Sequence, residues 1–396
     1  MLAESRLAAR TTLFRLVLVA LAISALPGCG TTYIAQAAMG EWHVMRARRP
    51  IDDVVLDKST PDSVREELFR VREAREFASS VLKLPDNRSY RTYADVHRAY
   101  VVWNVVATPE FSVAPLRWCF PIAGCVAYRG YFSEHKAREF AAGLSRKGYD
   151  VATGGVPAYS TLGKFADPVL STMLGYGVNE LAATIFHELA HQLLYVKNDT
   201  EFNEAFATTV EEEGLRRWLE QRGAPGELAA YHRQRERERE FIELFSQARD
   251  KLADLYASGE SPAQMRPKKH AILKQLGVDL GALERRLRVR SPVYDEWIAK
   301  GLNNAELTSL ATYYDCMPGF ERLLAEQQGA THGLTGTGGS GQTPSGQAPA
   351  QADGDLPRFY AAARKLSKLP RAERHDLLCK KTPPPASQPA TRESAQ

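Results

Sequence analysis

"TIFHELAHQLL", residues Thr184–Leu194, sets two histidines and a glutamate inside an otherwise apolar run. Ile185, Phe186, Leu189, Ala190, Leu193 and Leu194 are uncharged, so the segment reads as a buried helix. Positions i and i+4 of a helix lie on one face, one turn apart. His187 and His191 therefore offer two imidazoles to one point, where a single tetrahedral cation can take both. Glu188 stands beside that point and can serve as general base for a water there. Three ionisable groups on an apolar helix are costly unless something satisfies them. The competing reading is a helix with two hydrogen-bonded histidines and no metal.

A zinc site that does chemistry needs a third protein ligand and one open position. "NDTEFNEAFATTVEEEG", Asn198–Gly214, offers that ligand. Asn198, Asp199 and Thr200 read as a turn, with Asp199 or Thr200 capping the next helix. If the chain folds back around residues 197 and 198, His191 and Glu204 are equally far from the turn and lie side by side. Glu204 is the expected third ligand for one Zn2+ per chain. Glu204, Thr208 and Glu211 recur along one stripe of that helix. Glu211 is expected to accept a hydrogen bond from the outer nitrogen of a ligand histidine and fix its tautomer. Glu212 and Glu213 read as an exposed acidic run.

The composition is that of a globular protein: 44% hydrophobic and 25% charged over 396 residues. A net charge of +4, with no basic face interleaved with aromatics, argues against a nucleic-acid partner. The amino end is not part of the fold. Arg6, Arg10 and Arg15 lead into the apolar run Leu16–Leu26 and then "LPGCG", which reads as a secretory signal over 1–28, too short for a stable membrane span. Its Leu26–Cys29 ending resembles a bacterial lipobox, although Pro27 is not the usual residue there. That resemblance implies a lipidated Cys29 and a membrane anchor. Gly30, in place of the aspartate that retains such proteins at the inner membrane, favours the outer membrane facing the periplasm. Export permits disulfides among Cys119, Cys125, Cys316 and Cys379. A local Cys119–Cys125 bridge across "FPIAG" and four unpaired thiols are equally compatible with the spacing.

Helices are expected over residues 33–55 and 59–82, the second capped by Thr60 or Ser59. From Tyr100 to Tyr159 segments rich in Val, Tyr, Phe and Trp read as a small sheet, interrupted by a helix from Ser133 to Gly148. From Val178 onward almost everything is patterned as helix. The expected fold is therefore α+β and mostly helical. A helical bundle carries the site in a domain spanning 29–328, and the small sheet forms one wall of a cleft. A disordered Gly/Ser/Pro-rich linker is expected over 329–355, a last helix packing back over 356–380, and a disordered tail over 381–396.

"HELAHQ" followed by "NEAFATTVE" resembles the gluzincin metallopeptidases, whose aminopeptidase branch carries HExxH and then a segment close to N-E-G-F-A-T-x-x-E. Asn203, Glu204, Phe206, Ala207, Thr208 and Glu211 match it. Only twelve residues separate His191 from Glu204, fewer than in that branch, and no G-A-M-E-N strand is recognisable. The lipobox, "FPIAGCVAYRGYF", "AYSTLGKFADPVL", "HELAHQ", "FNEAFATTVE" and "ATYYDCMPGF" are similar to a family of bacterial lipoproteins called putative aminopeptidases. The resemblance implies a zincin-like metallopeptidase that hydrolyses peptides in the cell envelope. It also implies a tyrosine that steadies the oxyanion; Tyr313 is the expected residue, with Tyr314 and Tyr159 as alternatives. Residues Val156–Leu162 are expected to offer a strand edge to an extended peptide. An envelope endopeptidase with the same site, or a metal-stabilised binding lipoprotein without catalysis, are the competing readings. The oligomeric state is not set by the sequence.

Overall fold

A computed structural model describes residues 28–120, 124–334 and 354–379. The expected signal segment up to residue 27, most of the expected linker and the expected tail lie outside these residues. The chain divides into two units at Ala47 and Arg48. The first carries helix α1 (Gly28–Arg46), which exposes Ile34, Met39 and Trp42. Cys29 lies in α1, with its side chain outside the described residues.

The second unit begins with β1 (Arg48–Pro50) and α2 (Ile51–Leu56). The single helix expected over 33–55 is thus broken. Pro50 has no N–H to donate and pushes its predecessor out of the helical region. In α3 (Asp62–Ser80) neither expected cap is used; Pro61 precedes the helix. The Thr60 hydroxyl instead donates to the Val54 carbonyl at 2.8 Å, and that of Ser59 to Asp57 at 2.6 Å.

The strands β2 (Thr92–Ala94), β3 (Val102–Pro109), β4 (Trp118–Phe120), β5 (Gly124–Val126) and β6 (Arg129–Tyr131) are followed by α4 (Glu134–Arg146) and β7 (Tyr149–Val156). β3 lies between β6 and β7, antiparallel to both, with Val102 opposite Val156. Ser133 caps α4 by accepting from the Lys136 N–H, and Gly148, at φ +84°, turns the chain back into β7. β4 and β5 pair with Cys119 opposite Cys125, and these two cysteines form a disulfide. β8 (Val169–Leu170) runs parallel to β2, whose other neighbour is β1.

The rest is helical: α5 (Val178–Leu193), α6 (Thr200–Gln221), α7 (Pro225–Ala257), α8 (Pro262–Leu287), α9 (Pro292–Lys300), α10 (Asn304–Tyr314), α11 (Met317–Leu334), α12 (Asp355–Ser367) and α13 (Arg371–Leu378). The class is the expected one, α+β and mostly helical. α6 is the central rod, packed against α3, α5, α7, α10 and α11. On one side Phe77 meets Phe186 and Trp218, with ring centroids 5.8 and 5.2 Å apart. On the other, Phe202 and Phe206 meet Phe320, and Phe206 stacks on Phe359. Each such ring contributes roughly 1.5–3 kcal/mol by leaving water. A second core joins α7 and α8 through Phe245, Leu252, Leu276 and Leu280.

A second disulfide joins Cys316, between α10 and α11, to Cys379 after α13. α11 continues to Leu334, so residues 329–334 are helical rather than linker, and Asp355 opens α12 with its carboxylate paired to Arg217. Among the described residues no helix is long and apolar enough to cross a membrane.

Gly214 lets α6 approach α3 and α5. A Cβ there would stand 2.7 Å from Leu82 Cδ1 and 2.9 Å from Phe186 Cδ2. Gly214→Ala should therefore lower stability by about 1–3 kcal/mol, since overpacking outweighs the helix-propensity gain. Urea denaturation measures it, and an unchanged midpoint would contradict this packing.

Candidate metal centre

The centre is built by one reversal of the chain. α5 ends where Leu194 turns extended, and α6 starts at Thr200, capped by Asp199, whose carboxylate accepts from the Phe202 N–H. Asn203 staples the turn between them. Its amide oxygen accepts from the Val196 N–H at 2.7 Å, and its amide nitrogen donates to the Val196 carbonyl at 2.8 Å. Asn198 sits at φ +66°, a region Asn tolerates better than most residues. Its side-chain oxygen accepts from the Cys125 N–H at 2.7 Å, and Arg117 donates to its carbonyl at 2.8 Å. The disulfide-bonded β4–β5 hairpin thus braces the turn from outside.

This reversal brings four of the expected residues together. His187 Nε2 and His191 Nε2 are 3.1 Å apart, and Glu204 Oε2 lies 3.4 Å from the first and 3.7 Å from the second. Glu211 Oε2 lies 2.9 Å from His187 Nδ1, on the far side of the ring. The side chains are mostly buried, yet His187 keeps 15% and Glu204 12% of its exposure, so the point they share is not sealed from solvent. Nitrogen and oxygen ligands at about 2.0–2.1 Å from a tetrahedral zinc ion stand about 3.3–3.4 Å from one another. The three donor atoms match that spacing, and their types suit zinc. The structure carries a donor set that fits a divalent cation.

Electrostatics favour the same reading. Burial opposes a charge on His187, but Glu204 and Glu211 outweigh burial and raise its pKa well above the usual 6.5. Burial likewise opposes the Glu204 carboxylate, and the two histidines overcome it, holding that group far below the usual carboxylate range. Glu188, half-buried between these groups, moves the other way. Burial raises its pKa, and the positive charge of His187 and His191 only partly offsets the rise.

Other expectations fare differently. Tyr313 stands in α10, with its side chain outside the described residues. Tyr314 is half-buried among Arg235, Glu238 and Glu211, and burial pushes its phenol up to about 12. Tyr159 packs edge-on against Phe132 at 5.5 Å. The run Glu211–Glu213 is not an exposed face: Glu212 pairs with Arg235, and Glu213 is buried with Arg216 and Arg217. Arg235 of α7 meets Glu212, and Arg217 of α6 bridges Glu213 to Asp355 of α12. Sequence reasoning passed over Tyr195, whose ring stands edge-on to His191 at 6.4 Å and feels Glu204. It lies four residues past His191, the spacing that made the histidines visible.

Among the described residues, two other donor groupings do not compete. Cys316 and Cys379, near His375, are joined as a disulfide. Asp199, near Glu201 and His375, is already committed to Arg374 at 2.5 Å and His375 at 2.7 Å.

Two outcomes follow for metal binding. Glu204→Ala should remove high-affinity binding, whereas Glu211→Gln should weaken it about 10–100-fold by loosening the His187 ring; competition against a chelating dye ranks the two, and equal affinities would remove both roles. The second concerns protons. A raised folded pKa means that His187 is protonated in the metal-free protein through neutral pH. The stability it contributes is full below the unfolded value and fades as pH rises through the folded one. Metal must displace that proton, so calorimetry at pH 7 in buffers of different ionisation enthalpy should count about one proton released per ion. No release would contradict a protonated His187.

Comparison with known proteins adds the family. Neither the curated proteins nor the solved structures contain a match to the chain. A family model described as "Putative aminopeptidase" matches residues 32–378, a span that includes His187, Glu188, His191, Glu204 and Glu211. The protein belongs to the "Putative aminopeptidase" family.

Proposed function

We propose that the protein is a zinc-dependent peptidase of zincin-like chemistry, exported and held at the outer membrane by a lipidated Cys29. The observation that carries the reading is the convergence of His187 Nε2, His191 Nε2 and Glu204 Oε2 within 3.7 Å of one another, with Glu188 next in sequence to one of them. His187, His191 and Glu204 would hold a divalent cation, which would supply Lewis acidity toward a water and a peptide carbonyl. Glu188 then takes the proton from the attacking water and delivers it to the leaving amine. Glu211 fixes the His187 ring by accepting from Nδ1, leaving Nε2 with its lone pair directed to the site.

The strand edge expected over Val156–Leu162 is not there, since β7 ends at Val156 and residues 157–162 form no strand. β7 itself, paired only with β3, is an edge of its sheet among the described residues. Main-chain pairing along that edge would hold substrate without demanding particular side chains. The family name favours action at a free amino end. Two disulfides are compatible with an oxidising envelope compartment, which supports export.

Glu188→Gln is the test. The variant should keep its metal and lose at least about 100-fold in kcat, the usual contribution of a positioned general base. A variant that keeps full activity with metal bound would remove this mechanism. Free-ended and amino-blocked peptides, assayed in parallel, should separate exopeptidase from endopeptidase action, with cleavage confined to the free-ended set.

A further inference from the structure

Away from the His187–Glu204 centre, another group of donors meets at the end of α13. Sγ of Cys316, Sγ of Cys379 and one ring nitrogen of His375 all lie within 4.8 Å of one another. The two sulfurs are joined as a disulfide. Their surroundings are held by contacts of their own. The Cys379 N–H donates to the His375 carbonyl at 2.8 Å, so these two residues stand one helical turn apart, the spacing that unites His187 and His191. The end of α13 lies directly on α11. A Cβ at Gly319 would overlap the Leu378 carbonyl and Cα, and Arg322 donates to the Leu377 carbonyl at 3.4 Å. Arg374 and His375 fasten α13 to Asp199 at 2.5 and 2.7 Å. Cys379 therefore has reason to stay beside Cys316 when the bond between them is opened.

His375 is held in the manner of a metal ligand. Its Nε2 is bound by the Asp199 carboxylate, whose side chain has 0% exposure. A carboxylate on one imidazole nitrogen is the usual partner of a metal on the other. Cys316 is fully buried, Cys379 is half-buried, and the His375 side chain keeps 21% of its exposure, so the group is open to solvent on the His375 side. Two thiolates and an imidazole are donors that suit zinc, with a fourth position left for water.

We propose that reduction turns this clamp into a zinc site, with Cys316 and Cys379 as thiolate ligands and His375 as the third. An external dithiol gives two electrons and two protons to the disulfide and itself becomes a disulfide. Zn2+ then takes the place of the two thiol protons, which pass to solvent. One sulfur–sulfur bond is exchanged for two zinc–sulfur bonds, and α13 stays tied to the start of α11 in either state. In the oxidised protein these sulfurs offer nothing to an ion. The site shares no ligand with the His187–Glu204 centre and does not depend on the peptidase reading.

Co2+ tests it, because thiolate ligands give cobalt an intense near-ultraviolet charge-transfer band that nitrogen and oxygen ligands do not. The full chain is reduced with a phosphine, freed of it without air, and titrated beside the oxidised protein. Reduced wild type should show the band and bind about one more ion per chain than the oxidised form, and Zn2+ should abolish the band by displacement. Reduced Cys379→Ser should lack the band. Reduced His375→Ala should bind cobalt at least about tenfold more weakly. No band in reduced wild type overturns the proposal. So does a band that persists in Cys379→Ser, which would place the sulfurs elsewhere, or an unchanged affinity in His375→Ala. The wild-type comparison decides alone if a variant does not fold. An oxidised protein that binds no ion would remove the His187–Glu204 centre and leave the comparison of the two redox states intact.

Discussion

Two imidazole nitrogens and a carboxylate oxygen meet within 3.7 Å between two packed helices, and much of the second unit serves to hold them there. Such a cluster is unfavourable by itself. Burial opposes the charge on each partner, and the centre resists that cost only because opposite charges stand in contact. A cation between the donors would take over the role that the His187 proton plays in its absence. The same groups that make the site stable to protonation are those that could hold a metal ion.

The constraint reaches outward through the turn between α5 and α6. Asn203 closes that turn from within, and the β4–β5 hairpin closes it from outside through Asn198. Asp199, the cap of α6, is held by Arg374 and His375 of α13, whose following residue Cys379 is locked to Cys316. Both disulfides therefore end next to residues that brace one reversal of the chain. Aromatic packing supplies the rigid bed: Phe186, adjacent to His187, is pinned against Phe77, and Phe206, two residues past Glu204, is stacked on Phe359. Ligand positions set by packed rings and short turns leave little slack, which a metal site requires.

Much of the centre was legible because its information is local. The i, i+4 spacing of His187 and His191 is a statement about helix geometry alone. The pairing of His191 with Glu204 needed only a turn and equal arm lengths, and Asn198 and Asp199 announced the turn. The class of the fold followed from periodicity for the same reason. What stayed hidden depends on distant parts of the chain. Glu213 pairs with Arg217 one turn along α6, but its burial depends on Asp355 of α12 holding that arginine from 138 residues away, which no local pattern reveals. Cys316 and Cys379 are separated by 63 residues, and spacing could not pair them. The helix expected to run through Pro50 failed for a local reason, since a single proline outweighed an apolar pattern that continued past it.

The central claim is the identity of the ligands, and X-ray absorption on the zinc-loaded protein addresses it most directly. The account predicts a first shell of nitrogen and oxygen only, at about 2.0–2.1 Å, with multiple-scattering features of two imidazoles. A sulfur shell at about 2.3 Å, or outer-shell features of one imidazole or of three, would contradict it.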